Sequence, residues 1–116
     1  MILIIGAEAS GKREFAKSLG YSDDDFTTDP FDGKRVVYGV QNILFADHTR
    51  TQELYDALVD KDVVICNEVG SGVIPMGREM RLGREAAGRL CVLLAKDAEA
   101  VVRMVCGIPT IIKGQI

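Results

Sequence analysis

A three-layer α/β domain, with a mainly parallel sheet covered by helices on both faces, is what three features of the sequence predict. Short, fully apolar runs alternate with amphipathic stretches, the pattern of buried parallel strands joined by crossover helices. The first run, Ile2 to Ile5, breaks into the glycine-bounded stretch GAEASGKR at the mouth of a helix. The 116 residues, 47% of them apolar and 27% charged, fit one domain, residues 1 to 116, around one core.

Taken in order, Ile2 to Ile5 reads as a buried strand, and Gly11 to Leu19 as a short helix with Phe15, Ala16 and Leu19 on one side. Gly20 ends it. Residues 21 to 34, YSDDDFTTDPFDGK, show no apolar period and read as an irregular excursion. Arg35 to Val40 and Asn42 to Ala46 read as β-prone runs, a hairpin or one bulged strand. Thr51 to Val59 predicts a second helix, with Leu54, Ala57 and Leu58 inward, and Asp62 to Cys66 a buried strand. A glycine-rich loop over Gly70 to Gly77, with Pro75, leads into a long helix from about Arg78 to Lys96. That helix is so apolar from Ala86 to Ala95 that its second half must be enclosed. Ala100 to Cys106 and Thr110 to Lys113 close the chain as strands separated by Gly107 and Pro109.

Gly6-Ala7-Glu8-Ala9-Ser10-Gly11-Lys12 fits GxxxxGK in the strand-to-helix context that gives the pattern its mechanism. Such a loop turns successive amide N–H groups inward, Lys12 adds a point charge at the terminal phosphates of ATP or GTP, and the helix start adds its positive end. Arg13 stands where a Ser or Thr hydroxyl would meet Mg²⁺, and a guanidinium cannot ligate a cation. Either Arg13 reaches a phosphate itself, or Ser10 and carboxylates elsewhere hold the ion through water, or the loop binds nucleotide without turning it over. Asp47, after the run Asn42 to Ala46, is the candidate metal-side carboxylate at a strand end. As an alternative it caps the helix that begins near Thr49 to Thr51. His48, the sole histidine, is a possible ligand contact or a plain turn residue. Glu68, after the strand ending at Cys66, is a second acid placed to face the ligand crevice, or a residue that satisfies loop amides.

The totals exclude several function classes. The net charge is −3 and Trp is absent, so neither a phosphate-tracking surface nor a base-stacking platform stands out and nucleic acid is not expected as a partner. The apolar runs fall well short of the roughly 20 residues that cross a bilayer. No export signal is recognisable, so the expected location is cytoplasmic. Cys66, Cys91 and Cys106 are scattered among aliphatics, which predicts buried free thiols, with neither disulfides nor a metal cluster.

The run NEVGSGVIP (67 to 75), the spaced arginines Arg78, Arg81, Arg84 and Arg89, and the closing CGIPTIIKG resemble the C-terminal half of the bifunctional adenosylcobinamide kinase/adenosylcobinamide-phosphate guanylyltransferase family. MILIIGAEASGKR resembles that family's opening strand and phosphate loop. The resemblance implies a RecA-like P-loop NTPase fold, often assembled as a trimer, hence a homo-oligomer here. It also implies a nucleotide and a corrinoid as ligands, in cobalamin assembly and salvage. The implied chemistry is phosphorylation of the aminopropanol hydroxyl of adenosylcobinamide by ATP or GTP, followed by GMP transfer through a guanylylated histidine. Carried over residue by residue, Gly6 to Lys12 bind phosphates, with Arg13 as the departure, and the NEVG segment falls on Asn67 to Gly70.

Family members are longer. The missing length lies before NEVG, where the helix bearing the nucleophilic histidine should stand; Asn42 to Leu58 resembles the family's later strand-helix pair leading into NEVG, which leaves His48 outside that place. Two functions follow from the sequence. In the first the chain is a minimal nucleotide-dependent transferase, with Lys12 on the phosphates, Asp47 or Glu68 supporting Mg²⁺ or taking the substrate proton, and Arg78 or Arg81 neutralising developing charge. In the second it is a catalytically silent relative, a nucleotide-binding sensor or subunit. Self-association is expected in either, because the apolar end of the long helix and the terminal strands offer more apolar surface than so small a sheet covers.

Overall fold

The computed structural model describes residues 1–68 and 77–116. The predicted loop over Gly70 to Gly77 falls outside the described residues except at Gly77. Strands β1 (Ile2–Gly6), β2 (Phe26–Thr27), β3 (Val36–Val37), β4 (Val63–Asn67), β5 (Ala100–Val105) and β6 (Ile108–Lys113) form one sheet in the order β2-β3-β4-β1-β5-β6. The first five are parallel and β6 is antiparallel to β5. The central strand β1 pairs Ile2 with Val63 on one side and with Ala100 on the other.

Alternation along the strands decides which helix covers which face. Leu3, Val37, Val64, Cys66 and Val101 point to one side and pack against α2 (Val40–Ala46), α3 (Thr51–Leu58) and α4 (Arg78–Asp97), whose Val40, Leu44, Leu54, Leu58, Ala87, Leu90 and Leu94 are buried there. Ile4, Val36, Val63, Ile65, Val102 and Met104 point to the other, where α1 (Lys12–Ser18) sets Ala16 and Phe15 against them. The α/β, mainly parallel, two-faced fold predicted from the sequence is therefore the one observed.

Four local readings need correction. Asn42 to Ala46 is helix: Gly39 takes a left-handed turn (φ 68) out of β3, and Val40 and Leu44, four residues apart, are both buried on one helical stripe. The strand before it shrinks to Val36–Val37. Second, the irregular excursion contains β2, an edge strand too short to show a period, which receives Tyr38 N–H on Thr27 O at 3.0 Å. Third, β6 begins at Ile108. Cys106 and Gly107, with φ of 50 and 76, make a two-residue hairpin turn whose left-handed backbone conformation suits the right-handed twist of the strands. Pro109 sits inside β6, where an edge position tolerates a missing N–H. Fourth, of the cysteines only Cys66 is fully buried, while Cys106 is exposed on that turn.

Helix α4 buries Gly83, Ala86, Ala87, Leu90 and Leu94 along one stripe. Gly83 is where α2 crosses closest: a Cβ there would stand 2.8 Å from Phe45 Cα and 2.9 Å from Leu44 O. The expected enclosure of the second half is incomplete within the chain, since Val92 is 58% exposed. The excursion over residues 21 to 35 is tied to the start of β4 by Asp62, which accepts from Tyr21 Oη (3.2 Å) and Arg35 Nε (2.8 Å).

Candidate functional site

The carboxyl ends of the parallel strands open onto a cleft of about 470 Å³, the place where ligands bind in open α/β sheets. One wall is the loop after β1 with the start of α1, residues 8 to 14; the other is Thr28, Tyr38, Gly39, Gln41, Asn42, Ile65 and Asn67.

The loop is closed by three contacts. A Cβ on Gly6 would lie 2.5 Å from Ser10 Oγ and 2.7 Å from Met104 O, so only glycine lets the chain turn here. Ala9 and Gly11 both take positive φ, 57 and 95. Ser10 O accepts the Gly107 N–H at 3.0 Å, so the β5–β6 hairpin turn buttresses the loop from behind. Lys12, only 7% exposed, turns its amine inward to donate to Ala7 O, with Ser10 Oγ at 3.5 Å.

Burial pushes the Lys12 amine below the ordinary lysine value of 10.5, with Glu8 pulling it back up. Two opposite slopes follow. The unfolded chain keeps its proton longer than the folded one, so stability rises with pH through the window below 10.5. An anionic ligand would need the protonated amine, so affinity for such a ligand, a nucleoside triphosphate for example, would fall through the same window. Melting curves and calorimetry from about pH 7 to pH 10 should show both slopes, and Lys12→Met should flatten both. Slopes that persist in Lys12→Met would assign them to another group.

Arg13 is exposed and holds its guanidinium 5.1 Å from the Tyr38 ring centroid, on the partition between the cleft and a second cavity of about 310 Å³. There the Lys17–Asp23 ion pair (2.6 Å) keeps the Asp23 carboxyl below its usual range. The predicted strand-end position of Asp47 is corrected with the strand itself. It follows helix α2, and its carboxylate accepts the Thr49 Oγ1–H (2.6 Å) and N–H (3.0 Å), bonds that hold its pKa down. Neither Asp47 nor the adjacent His48 lines the cleft.

Glu68 lies just beyond β4, its N–H on Gly6 O at 2.8 Å, and its carboxylate grips Arg103 at 2.5 Å and 3.1 Å. It is close enough to favour the charged form of Lys12, although the cleft is lined by its neighbour Asn67. Arg78 and Arg81 are exposed on the first turns of α4 and are not among the residues that line the cleft. Val69 and Gly70 of the NEVG run lie outside the described residues. Sequence reading missed Tyr38, Gln41, Asn42, Thr28 and Arg103. Tyr38 alone carried a local signal, an aromatic directly before a glycine at a strand end.

The residues around the cleft do not fit the usual Mg²⁺ site of such loops. The hydroxyl position is Arg13, Asp47 is committed to Thr49 and Glu68 to Arg103, and no group of three or more acidic, histidine or cysteine ligands occurs among the described residues.

A mainly parallel sheet with a glycine-bounded loop between its central strand and the next helix defines the P-loop NTPase class of fold, RecA-like in having helices on both faces. Residues 36–112, well over half of the chain, match the family profile for cobinamide kinase / cobinamide phosphate guanyltransferase. The chain belongs to this family, transferases of cobalamin biosynthesis that use ATP or GTP. The matched span starts at β3 and so does not include the loop from Gly6 to Arg13. No curated protein matches the chain significantly.

Proposed function

We propose that the cleft binds the phosphates of ATP or GTP and that the chain transfers the γ-phosphoryl group to a hydroxyl of cobinamide. The observation that carries this reading is Lys12, a buried amine turned onto a loop carbonyl, which phosphate oxygens would replace as the better acceptor. The substrate oxygen bonds to the γ-phosphorus as the bond to the β-phosphate oxygen breaks. The nucleoside diphosphate leaves with the electron pair and the hydroxyl proton passes to solvent. Phosphoryl transfer is largely positioning and charge neutralisation, which the loop amides, Lys12 and Arg13 supply. Since no cleft residue fits a Mg²⁺ site, any such ion would come as the nucleotide's own counter-ion and would supply only charge neutralisation. Glu68, with Arg103, offsets the cationic loop beside it, and Arg78 and Arg81, exposed at the start of α4 and outside the cleft lining, are given no part in the step.

The kinase step is favoured over guanylyl transfer, which needs a nucleophilic histidine. The one histidine, His48, stands in a turn outside the cleft. A second reading, a silent nucleotide-binding sensor or subunit, draws on Arg13 at the metal-ligand position and on the pairing of Glu68 with Arg103. A turnover assay separates the two. ATP or GTP hydrolysis or transfer stimulated by cobinamide is expected, and nucleotide binding with no turnover in the presence of cobinamide would establish the silent reading.

No helix among the described residues is long and apolar enough to cross a membrane, in keeping with a cytoplasmic enzyme. Self-association is proposed through β6, where Ile108, Ile111 and Ile112 are 66%, 51% and 56% exposed on the edge strand of the sheet, a trimer being what the family resemblance implies. Sedimentation at micromolar concentration should give an oligomer, and a monomer there would count against it.

A further inference from the structure

We infer that the wall facing the phosphate loop is the acceptor subsite, and that it selects a neutral, hydroxyl-bearing acceptor over its phosphate ester, with Gln41 as the specificity residue. This rests on the proposed phosphate cleft and on cobinamide as its acceptor, and adds the wall and the residue by which that acceptor is told from cobinamide phosphate.

The charge layout separates the halves of the cleft. Among the described residues its cations, Lys12 and Arg13, both come from the loop and α1, as do its carboxylates, Glu8 and Glu14. The facing wall offers Thr28, Tyr38, Gln41, Asn42 and Asn67, hydrogen-bonding groups without charge. A phosphate ester on that side would meet no cation of its own. It would compete with the nucleotide for Lys12 and Arg13 and would face the loop's two carboxylates. A neutral hydroxyl compound asks only for donors and acceptors, which amides and hydroxyls supply.

Gln41 is the built element of this wall. It is 8% exposed, a buried amide on the inner side of α2 that still lines the cleft. Its Oε1 receives the Asn67 N–H at 3.4 Å, at the end of β4, and that bond fixes the amide's orientation. With the oxygen engaged, the Nε2 hydrogens are the groups left to donate to an acceptor oxygen. The next residue along the chain, Glu68, donates its N–H to Gly6 O. One turn of backbone thus ties the donor on the acceptor side to the first residue of the phosphate loop, so the two substrates are held in a common frame.

Calorimetry on the full chain saturated with a non-hydrolysable ATP or GTP analogue, using cobinamide and cobinamide phosphate as probes, tests this. Cobinamide should bind about tenfold or more tightly than cobinamide phosphate, the worth of one hydrogen bond to a neutral partner together with an unmatched charge. Gln41→Glu keeps an oxygen for the Asn67 N–H but loses the donor. It should weaken cobinamide about tenfold while nucleotide affinity stays within about twofold. Asn42→Asp, at an exposed position that cannot upset the core, should widen the preference for cobinamide further. Equal or tighter binding of cobinamide phosphate, absence of cobinamide binding to the nucleotide-loaded chain, or an unchanged acceptor ratio in Asn42→Asp would overturn the inference. If the wild-type chain fails to bind the nucleotide analogue, it is the phosphate-cleft reading that fails instead.

Discussion

Lys12→Ala is expected to weaken ATP or GTP binding by about ten- to a hundredfold, the equivalent of one or two charge-assisted hydrogen bonds to phosphate, and to abolish cobinamide-stimulated turnover. The same change should leave the melting temperature unchanged or raised. In the nucleotide-free chain the amine is buried against Ala7 O and Ser10 Oγ, so its removal relieves a desolvated charge. Calorimetry paired with thermal melting reads both effects. Unaltered nucleotide affinity in a folded Lys12→Ala protein would remove the basis for assigning phosphates to this loop.

Gly83→Ala is expected to cost about 2 kcal/mol or more, enough to lower the melting temperature of a domain this size by roughly 10 °C. On an exposed helix the same change would stabilise, because alanine is the better helix former. Here the added methyl would come within 2.7 Å of the Phe45 ring and under 3 Å of the α2 backbone, and backbone cannot swing aside as a flexible side chain does. Helix α2 would have to move, and it carries Gln41 and Asn42 on the cleft wall. The loss of stability should therefore come with a weaker grip on the acceptor. Gly88→Ala is the control: a Cβ at Gly88 meets nothing within 4 Å. Gly83→Ala melting no lower than Gly88→Ala would refute the close crossing.

What could be read from the sequence was whatever declared itself locally. Strands β1 and β4 were legible because both of their faces are covered and their apolar runs are unbroken, and α1, α3 and α4 because a glycine or a buried stripe bounds or patterns them. The loop from Gly6 to Arg13 was legible for the same reason, since strand, turn and helix start are contiguous. Helix α2 was misread because seven residues hold barely two turns, and Ile43-Leu44-Phe45 in isolation looks like a strand. The facing wall could not be read. Thr28, Gln41, Asn42 and Asn67 meet only because three crossovers end at the same side of the sheet. The Glu68–Arg103 pair, likewise, spans β1 between neighbouring strands that are far apart in sequence. Asp47 shows how a side chain's reading depends on its element: after a helix instead of a strand, the cap alternative is the one its bonds to Thr49 support.

The two-residue length of β2 and β3 gives the cleft one stiff jaw and one compliant jaw. The loop's strand is clamped on each side by a five-residue ladder, to β4 and to β5, in the middle of the sheet. The opposite side hangs from the pairs Phe26–Val36 and Thr27–Val37, with β3 in turn joined to β4 at two positions. Regions held by so few ladder bonds open long before the whole domain does. Amide hydrogens at Val37 and Tyr38 should thus exchange well ahead of those at Leu3 and Ile4, and a bulky acceptor would be admitted by a yielding sheet edge while the phosphates stay fixed.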